Sequence, residues 1–419
     1  MPSVKMNPQS RFLVGLLCAT ATAGFICRVN ISTAGALMMK EYNLSQVDMG
    51  RLFSSFLFGY ALFQIPAGAL SDRFGTKKVL SIAIWLWVFL TVIQAFAGWN
   101  GLGLSVGAVL ILFMFIRFLL GITAAPTYPA AAAGISRWVP PSFHARANGI
   151  VIGSVGLGSA LAPLLVSGVM VKWGWQVALI ASALPALVIA FVGRRVREPE
   201  RTVSAQVTTE KNVFQTNGSL KSGSFILLTI SYSLQGYVGY IFVSWFYLYL
   251  VQVRHFNLLT GAWMSSLSWI LSIISIPLGG FISDYLIKGR LGLRWGGNVV
   301  PIAGMGLSGI LISIGAHTSS AIVAAITLAL ATSCVLSVEG PFWGMMNRIS
   351  GNRSGVGGGI MNTGCNLGGL ISPILTPWIA SYIGWEFALY IAAGLAITGA
   401  LLWQGIQPPI QISVLSPDG

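Results

Sequence analysis

Apolar runs of about 20 residues recur from one end of this chain to the other, each long enough to cross a bilayer as a helix. "GAVLILFMFIRFLLGITAAP", ending at Pro126, is one, and "ALYIAAGLAITGALLW", ending at Trp403, is another. Lipid offers no partner to a backbone N–H or C=O, so only helices or a closed barrel can span it. The short alternating strands of a barrel are absent, which leaves a helical bundle. Composition agrees: the 419 residues are 55% hydrophobic and only 8% charged. The runs read as twelve transmembrane helices, at 12–39, 47–71, 79–98, 105–136, 147–171, 175–193, 223–250, 258–283, 296–316, 320–347, 354–383 and 386–406. The fold class is therefore an all-α membrane protein. The basic flank and apolar run at the start could imitate a signal peptide. The helical pattern continues through Arg28 to Met39, so a retained first helix is expected.

The net charge of +14 resembles a nucleic-acid signal, but its distribution excludes one. Arg73, Lys77, Lys78, Arg137, Arg146, Arg194, Arg195, Arg197, Arg290, Arg294, Arg348 and Arg353 all fall at one end of the spans. Only Lys40, Arg51, Lys172 and Arg254 fall at the other. By the positive-inside rule the first end is cytoplasmic, and so are both termini. Arg28 and Arg117 lie within the membrane. The four cysteines (Cys18, Cys27, Cys334 and Cys365) all fall inside spans and read as buried packing residues, with no disulfide or zinc spacing.

The one long polar stretch covers residues 194–222, between a six-helix half at 1–193 and a second at 223–406; a cytoplasmic tail follows at 407–419. The halves resemble each other. A single ungapped shift aligns Gly149 with Gly359, Gly158 with Gly368, Pro163 with Pro373, Gly174 with Gly384 and Trp175 with Trp385. "PAGALSDRFG" and "PLGGFISDYL" match at nearly the same shift, setting Asp72 against Asp284. Two parallel repeats about an axis normal to the membrane imply alternating access to a central site. Gly364 and Gly368 form a small-residue pair suited to a gate that closes tightly.

A charge in mid-membrane costs several kcal/mol unless compensated, so each one is a functional candidate. Arg28 and Arg117 lie near the centres of spans 1 and 4, too deep to reach either interface. Of the ten acids only Glu339 lies clearly within the bilayer. Two deep cations against one deep anion leave positive charge for an anionic substrate, which arginine grips through two parallel N–H bonds. Asn30, Tyr128, Gln235, Tyr240, Asn362 and Asn366 are further candidates for this site. Glu339 either carries a proton or pairs with Arg117 or Arg348. No lysine follows a glycine, so no phosphate-binding loop for ATP is present, and no catalytic constellation appears.

"GALSDRFGTKKVL", from Gly68 to Leu80, resembles the loop signature of the major facilitator superfamily. The resemblance extends to its anion:cation symporter family through "RVNIS" at 28–32, "RFLLGITAAPTYPAAAAGISRWVP" at 117–140, "RANGI" at 146–150, "GPFWG" at 340–344 and "GIMNTGCNLGGLISP" at 359–373. That family includes carriers of hexuronates, aldonates, glucarate, tartrate and phthalate, and the vesicular glutamate and sialic acid carriers. The resemblance implies proton- or sodium-driven symport of organic anions in a bacterial-type inner membrane, without a bound cofactor. It implies that Arg28 and Arg117 contact the substrate carboxylate, and that Gly68, Asp72, Arg73, Gly75 and Asp284 latch one state of the cycle. The chain departs from the family at two places where members commonly carry an acid: Cys27 and Ala124. Glu339 is the expected replacement for proton coupling. An exchanger or uniporter without proton movement is the alternative, and a receptor that binds an anion without moving it is a third. The expected form is a monomer in the lipid bilayer with a small organic anion as its only partner and no nucleic acid.

Overall fold

The computed structural model describes residues 8–97, 103–140, 143–195 and 220–408. Every regular element among them is helical: α1 (Pro8–Tyr42), α2 (Gln46–Phe74), α3 (Thr76–Phe96), α4 (Val106–Ala124), α5 (Thr127–Trp138), α6 (His144–Arg195), α7 (Gly223–Ser244), α8 (Phe246–Gln252), α9 (Leu258–Lys288), α10 (Gly292–His317), α11 (Ala321–Leu336), α12 (Glu339–Ser350), α13 (Ser354–Ile383) and α14 (Trp385–Leu402). Among the described residues nine helical stretches are long and apolar enough to cross a membrane. Gly174 divides one of these, and α2 and α13 bring the crossings to twelve. Large apolar side chains such as Phe89, Ile111 and Phe281 point outward, as lipid-facing residues do. The polar stretch at 194–222 and the tail at 407–419 lie largely outside the described residues.

Three chain reversals share one backbone conformation. Gly75 (φ 85°, ψ 154°), Gly174 (φ 80°, ψ 170°) and Gly384 (φ 92°, ψ 159°) each turn one span directly into the next. Side chains disfavour that region by about 1–3 kcal/mol. Gly174→Ala is therefore expected to lower the apparent melting temperature of the purified protein; unchanged melting would remove this account of the reversal.

The structure breaks three spans that the sequence reads as continuous. Span 4 divides into α4 and α5 at Ala125–Pro126, where proline supplies no amide for the preceding turn. Span 10 divides into α11 and α12 at Ser337–Val338, because Pro341 leaves the Ser337 carbonyl without a helical donor. Span 7 divides into α7 and α8 at Trp245, whose indole N–H donates to the Pro373 carbonyl at 3.1 Å. The first two breaks correspond in the two halves.

Close packing repeats as well. A Cβ on Gly158 would collide with the Thr22 carbonyl, fixing α6 on α1, and one on Gly368 would collide with the Ser233 carbonyl, fixing α13 on α7. Gly364 also faces Ser233. The Gly364–Gly368 pair thus holds a helix pair together within one half, and the sequence expectation of a gate there is corrected.

The halves touch along α2 with α13 and α6 with α9. Contact is tight at the end away from the basic loops. The Gly50 Cα lies against the Pro373 carbonyl, Ser54 Oγ donates to Leu370 O at 2.7 Å, and Trp385 Nε1 donates to Gln46 Oε1 at 3.2 Å. Phe53 packs edge-on to Trp245 at 5.4 Å between ring centroids. Toward the basic end the same faces separate. On α6, Ala160 accepts from Ser266 and Gly156 meets Ile273, yet Gly153 and Gly149 on that face meet nothing. On α13, Leu370 and Asn362 reach α2, while Gly359 meets nothing. The bundle is closed at one end and open at the basic end.

Candidate functional site

Arg28 lies in α1, half-buried, where the halves meet. Its Nη2 donates to the Tyr240 hydroxyl of α7 at 2.7 Å, across the boundary between halves. Its guanidinium carbon lies 5.0, 5.1, 5.3 and 5.5 Å from the ring centroids of Phe25, Phe56, Tyr60 and Tyr240. Arg117, on α4, is 2% exposed. Its Nη2 donates to the Arg28 carbonyl at 3.0 Å, and its guanidinium carbon lies 4.8 Å from the same Phe56 ring. Its Nε and Nη1 are buried without a partner.

Neither arginine meets a carboxylate. Among the described residues the acid–base contacts within 4.0 Å are Arg51 with Asp48 and His317 with Glu386, the second an ion pair only when the imidazole is protonated, and both lie at the closed end. Cation–π contacts contribute about 0.5–2 kcal/mol each. Burying an unpaired charge costs several kcal/mol, so rings alone offset only part of it.

Two small pockets share Arg28 and Phe56 in their walls. One extends toward Tyr60, Ala124, Thr127 and Tyr128. The other includes Arg117, Ser32, Tyr240 and Ser244, and lies between α1, α2, α4 and α7.

The other sequence candidates divide. Tyr128 and Tyr240 stand with Arg28. Asn362 Nδ2 approaches Gln64 Oε1 at 3.4 Å, and Asn366 lies half-buried on the same face of α13, one turn on. Asn30 is turned away: it is 1% exposed and donates to Ser182 Oγ at 2.9 Å, packing α1 on α6. Gln235 also leaves the arginines. Its Nε2 donates to Glu339 Oε1 at 3.1 Å, and the Tyr232 hydroxyl donates to Glu339 Oε2 at 2.8 Å. Glu339 thus forms a separate centre in the first turn of α12, paired with neither Arg117 nor Arg348.

Of the latch candidates, Gly68 approaches Pro129, Arg73 is exposed with its guanidinium 5.3 Å from the Phe74 ring, and Gly75 makes the turn. Asp284 is exposed, and the Asp72 side chain falls outside the described residues. Cys27 is buried; Cys18, Cys334 and Cys365 are only half-buried, and all four are free thiols.

Sequence reasoning did not single out Phe56, Tyr60, Gln64 or Tyr232. Phe56, Tyr60 and Gln64 recur every fourth residue, so they share one face of α2. That aromatic and amide stripe in an apolar span was the available signal.

Residues 16–369 match the model of the Major Facilitator Superfamily. The chain belongs to that superfamily. It is a multi-pass membrane transporter and not an enzyme. Its curated relatives include a probable sulfoacetate transporter of Cupriavidus necator, 28% identical over 99% of this chain and 97% of that protein. A hexuronate transporter of Bacillus subtilis is 27% identical over 93% of this chain and 91% of its own length. A probable galactarate/D-glucarate transporter of Escherichia coli K12 is 28% identical over 90% of each. Among solved structures, a bacterial homolog of the human lysosomal transporter Spinster, inward-facing and unoccupied, superposes with a TM-score of 0.79 at 17% identity, covering 95% of this chain and 96% of that one. The relatives bear out the resemblance to sugar-acid and organic-anion carriers read from the sequence, and the solved structure bears out the fold.

Proposed function

We propose that this transporter moves small organic anions into the cell by proton-coupled symport, with its halves rocking about Arg28 and Arg117. The observation that carries the reading is a pair of guanidinium groups without carboxylate partners, set where the two halves meet. Substrate oxygens supply the counter-charge, and Tyr128, Tyr240, Asn362 and Asn366 face them. The names of the three relatives described above support this class of cargo: sulfoacetate, hexuronate and galactarate/D-glucarate are all organic anions. Glu339 is the proton-coupling group, and sodium is the other candidate ion. The bundle, open at its basic end, is then the inward-open state of a carrier in a bacterial inner membrane, with both termini cytoplasmic. It acts as a monomer and needs no bound cofactor. Gly68, Asp72, Arg73, Gly75 and Asp284 latch the opposite state.

Purified protein screened with organic anions should melt at a higher temperature with its substrate, since a ligand of the native state stabilises it. Arg28→Ala should abolish that shift and reduce uptake into proteoliposomes to background. Uptake by Arg28→Ala at the parental rate would refute the anion site.

A second reading, exchange or uniport without protons, is favoured by the neutral residues Cys27 and Ala124 beside the arginines. It calls for counterflow with no alkalinisation outside the vesicles.

A further inference from the structure

Aromatic rings and two hydrogen bonds offset part of the charge of the two arginines, but no protein carboxylate neutralises either one. Their guanidinium carbons lie 5.1 and 4.8 Å from the centroid of one ring, Phe56. The two cations therefore stand within about 10 Å of each other, a distance at which like charges inside a protein repel appreciably. Both line one cavity, together with Tyr240 and Ser244. Cys27, next to Arg28 in the chain, is neutral, as is Ala124, which lines a pocket with Arg28 and Phe56. Glu339 is engaged by Tyr232 and Gln235 rather than by either cation. The Nε and Nη1 of Arg117 remain as unpartnered buried donors.

We infer that the cargo is a dianion, with one anionic group on Arg28 and a second on Arg117. This rests on the proposal that the two arginines form the anion site. A single carboxylate accepts about two parallel N–H bonds from one guanidinium, which leaves the second cation buried and uncompensated. A second anionic group removes that cost. It also ties the ligand to Arg117, which lines only one of the two pockets that meet at Arg28. In a bidentate pair the guanidinium and carboxylate carbons stand roughly 4 Å apart. Two anionic groups held in this way by cations no more than about 10 Å apart call for a short carbon chain between them. Dicarboxylates and sulfo-carboxylates have that form; a monoanionic sugar acid does not.

The test uses the full chain, purified, and ligand pairs that differ by one negative charge: succinate against its monomethyl ester, sulfoacetate against acetate, and glucarate against gluconate. Affinities come from thermal shift and calorimetry. In the pairs that bind, the dianion should bind at least tenfold more tightly than its partner. Arg117→Gln should collapse that ratio toward one, and Arg117→Lys, which keeps the charge and guards against a folding defect, should preserve a dianion preference. A ratio near one in the parental protein, or an undiminished ratio in Arg117→Gln, overturns the inference while leaving an anion site in place. Failure of every dianion and monoanion to bind overturns the anion site itself, and the inference with it.

Discussion

Gly50→Ala is expected to stop transport while leaving the fold intact. Gly50 lies on α2 at the closed end, and a Cβ there would collide with the Pro373 carbonyl oxygen and crowd its carbonyl carbon and the Ile374 Cα. Backbone atoms cannot rotate away as a side chain can. Most other glycines with such contacts pack helices of the same half. Gly59 meets the Phe118 carbonyl, Gly121 that of Phe56, and Gly279 that of Ser337. Gly50 meets the opposite half, so its methyl group opposes a conformational state rather than the fold. Overpacking costs typically about 1–3 kcal/mol, and more against backbone. Every 1.4 kcal/mol is about tenfold in the balance of states, so closure of this end should become roughly a hundredfold rarer. Uptake into proteoliposomes should fall to background. A cysteine placed at Gly359, which faces open space here, should lose reactivity toward a thiol reagent applied from the basic side. Gly394→Ala, whose Cβ meets nothing, is the control and should transport normally. Parental uptake by Gly50→Ala would show that this contact does not need to form in the cycle.

The fold was legible in the sequence because lipid admits few alternatives. Apolar runs, the single polar break and the repeated Gly-Trp pairs at Gly174–Trp175 and Gly384–Trp385 were enough to place twelve crossings and two related halves. Helix breaks were less legible. Pro126 and Pro341 sit in runs that stay apolar on both sides, so hydropathy carried through them. The site was half legible. A guanidinium in mid-membrane is conspicuous by its cost, and both arginines proved to lie within reach of one ring. What surrounds them was not, because Phe56 and Tyr60 are ordinary residues in a membrane helix until a second helix brings a cation over them. Asn30 misled for the opposite reason. An amide in hydrocarbon must find a partner, but sequence does not say whether the partner is cargo or, as here, Ser182. The gate was misassigned on the same ground: Gly364 and Gly368 look like close-approach residues, and they are, but toward α7.

Glu339→Gln is expected to separate the two readings of the energetics. Both oxygens of Glu339 accept a hydrogen bond, from Tyr232 and from Gln235. A carboxylate accepts both; adding one proton makes one oxygen a donor and weakens it as an acceptor, which favours a turn of the Tyr232 hydroxyl from donor to acceptor. Both partners sit on α7, and the same helix carries Tyr240, which takes the hydrogen bond of Arg28. On the proposed reading, proton binding in the C-terminal half and anion binding at the N-terminal arginine would act on one helix. If Glu339 carries the proton, glutamine fixes the neutral form. The variant should still exchange internal for external substrate, since that needs no net proton movement. It should lose accumulation driven by a pH gradient, which is worth about 1.4 kcal/mol, or tenfold, per pH unit for one proton per substrate. The expected accumulation ratio across a gradient of one unit therefore falls from near ten to near one, while counterflow persists. Undiminished accumulation would take the proton away from Glu339. Counterflow without accumulation in the parental protein as well would make this carrier an exchanger, and Glu339 a group that holds α7 in place.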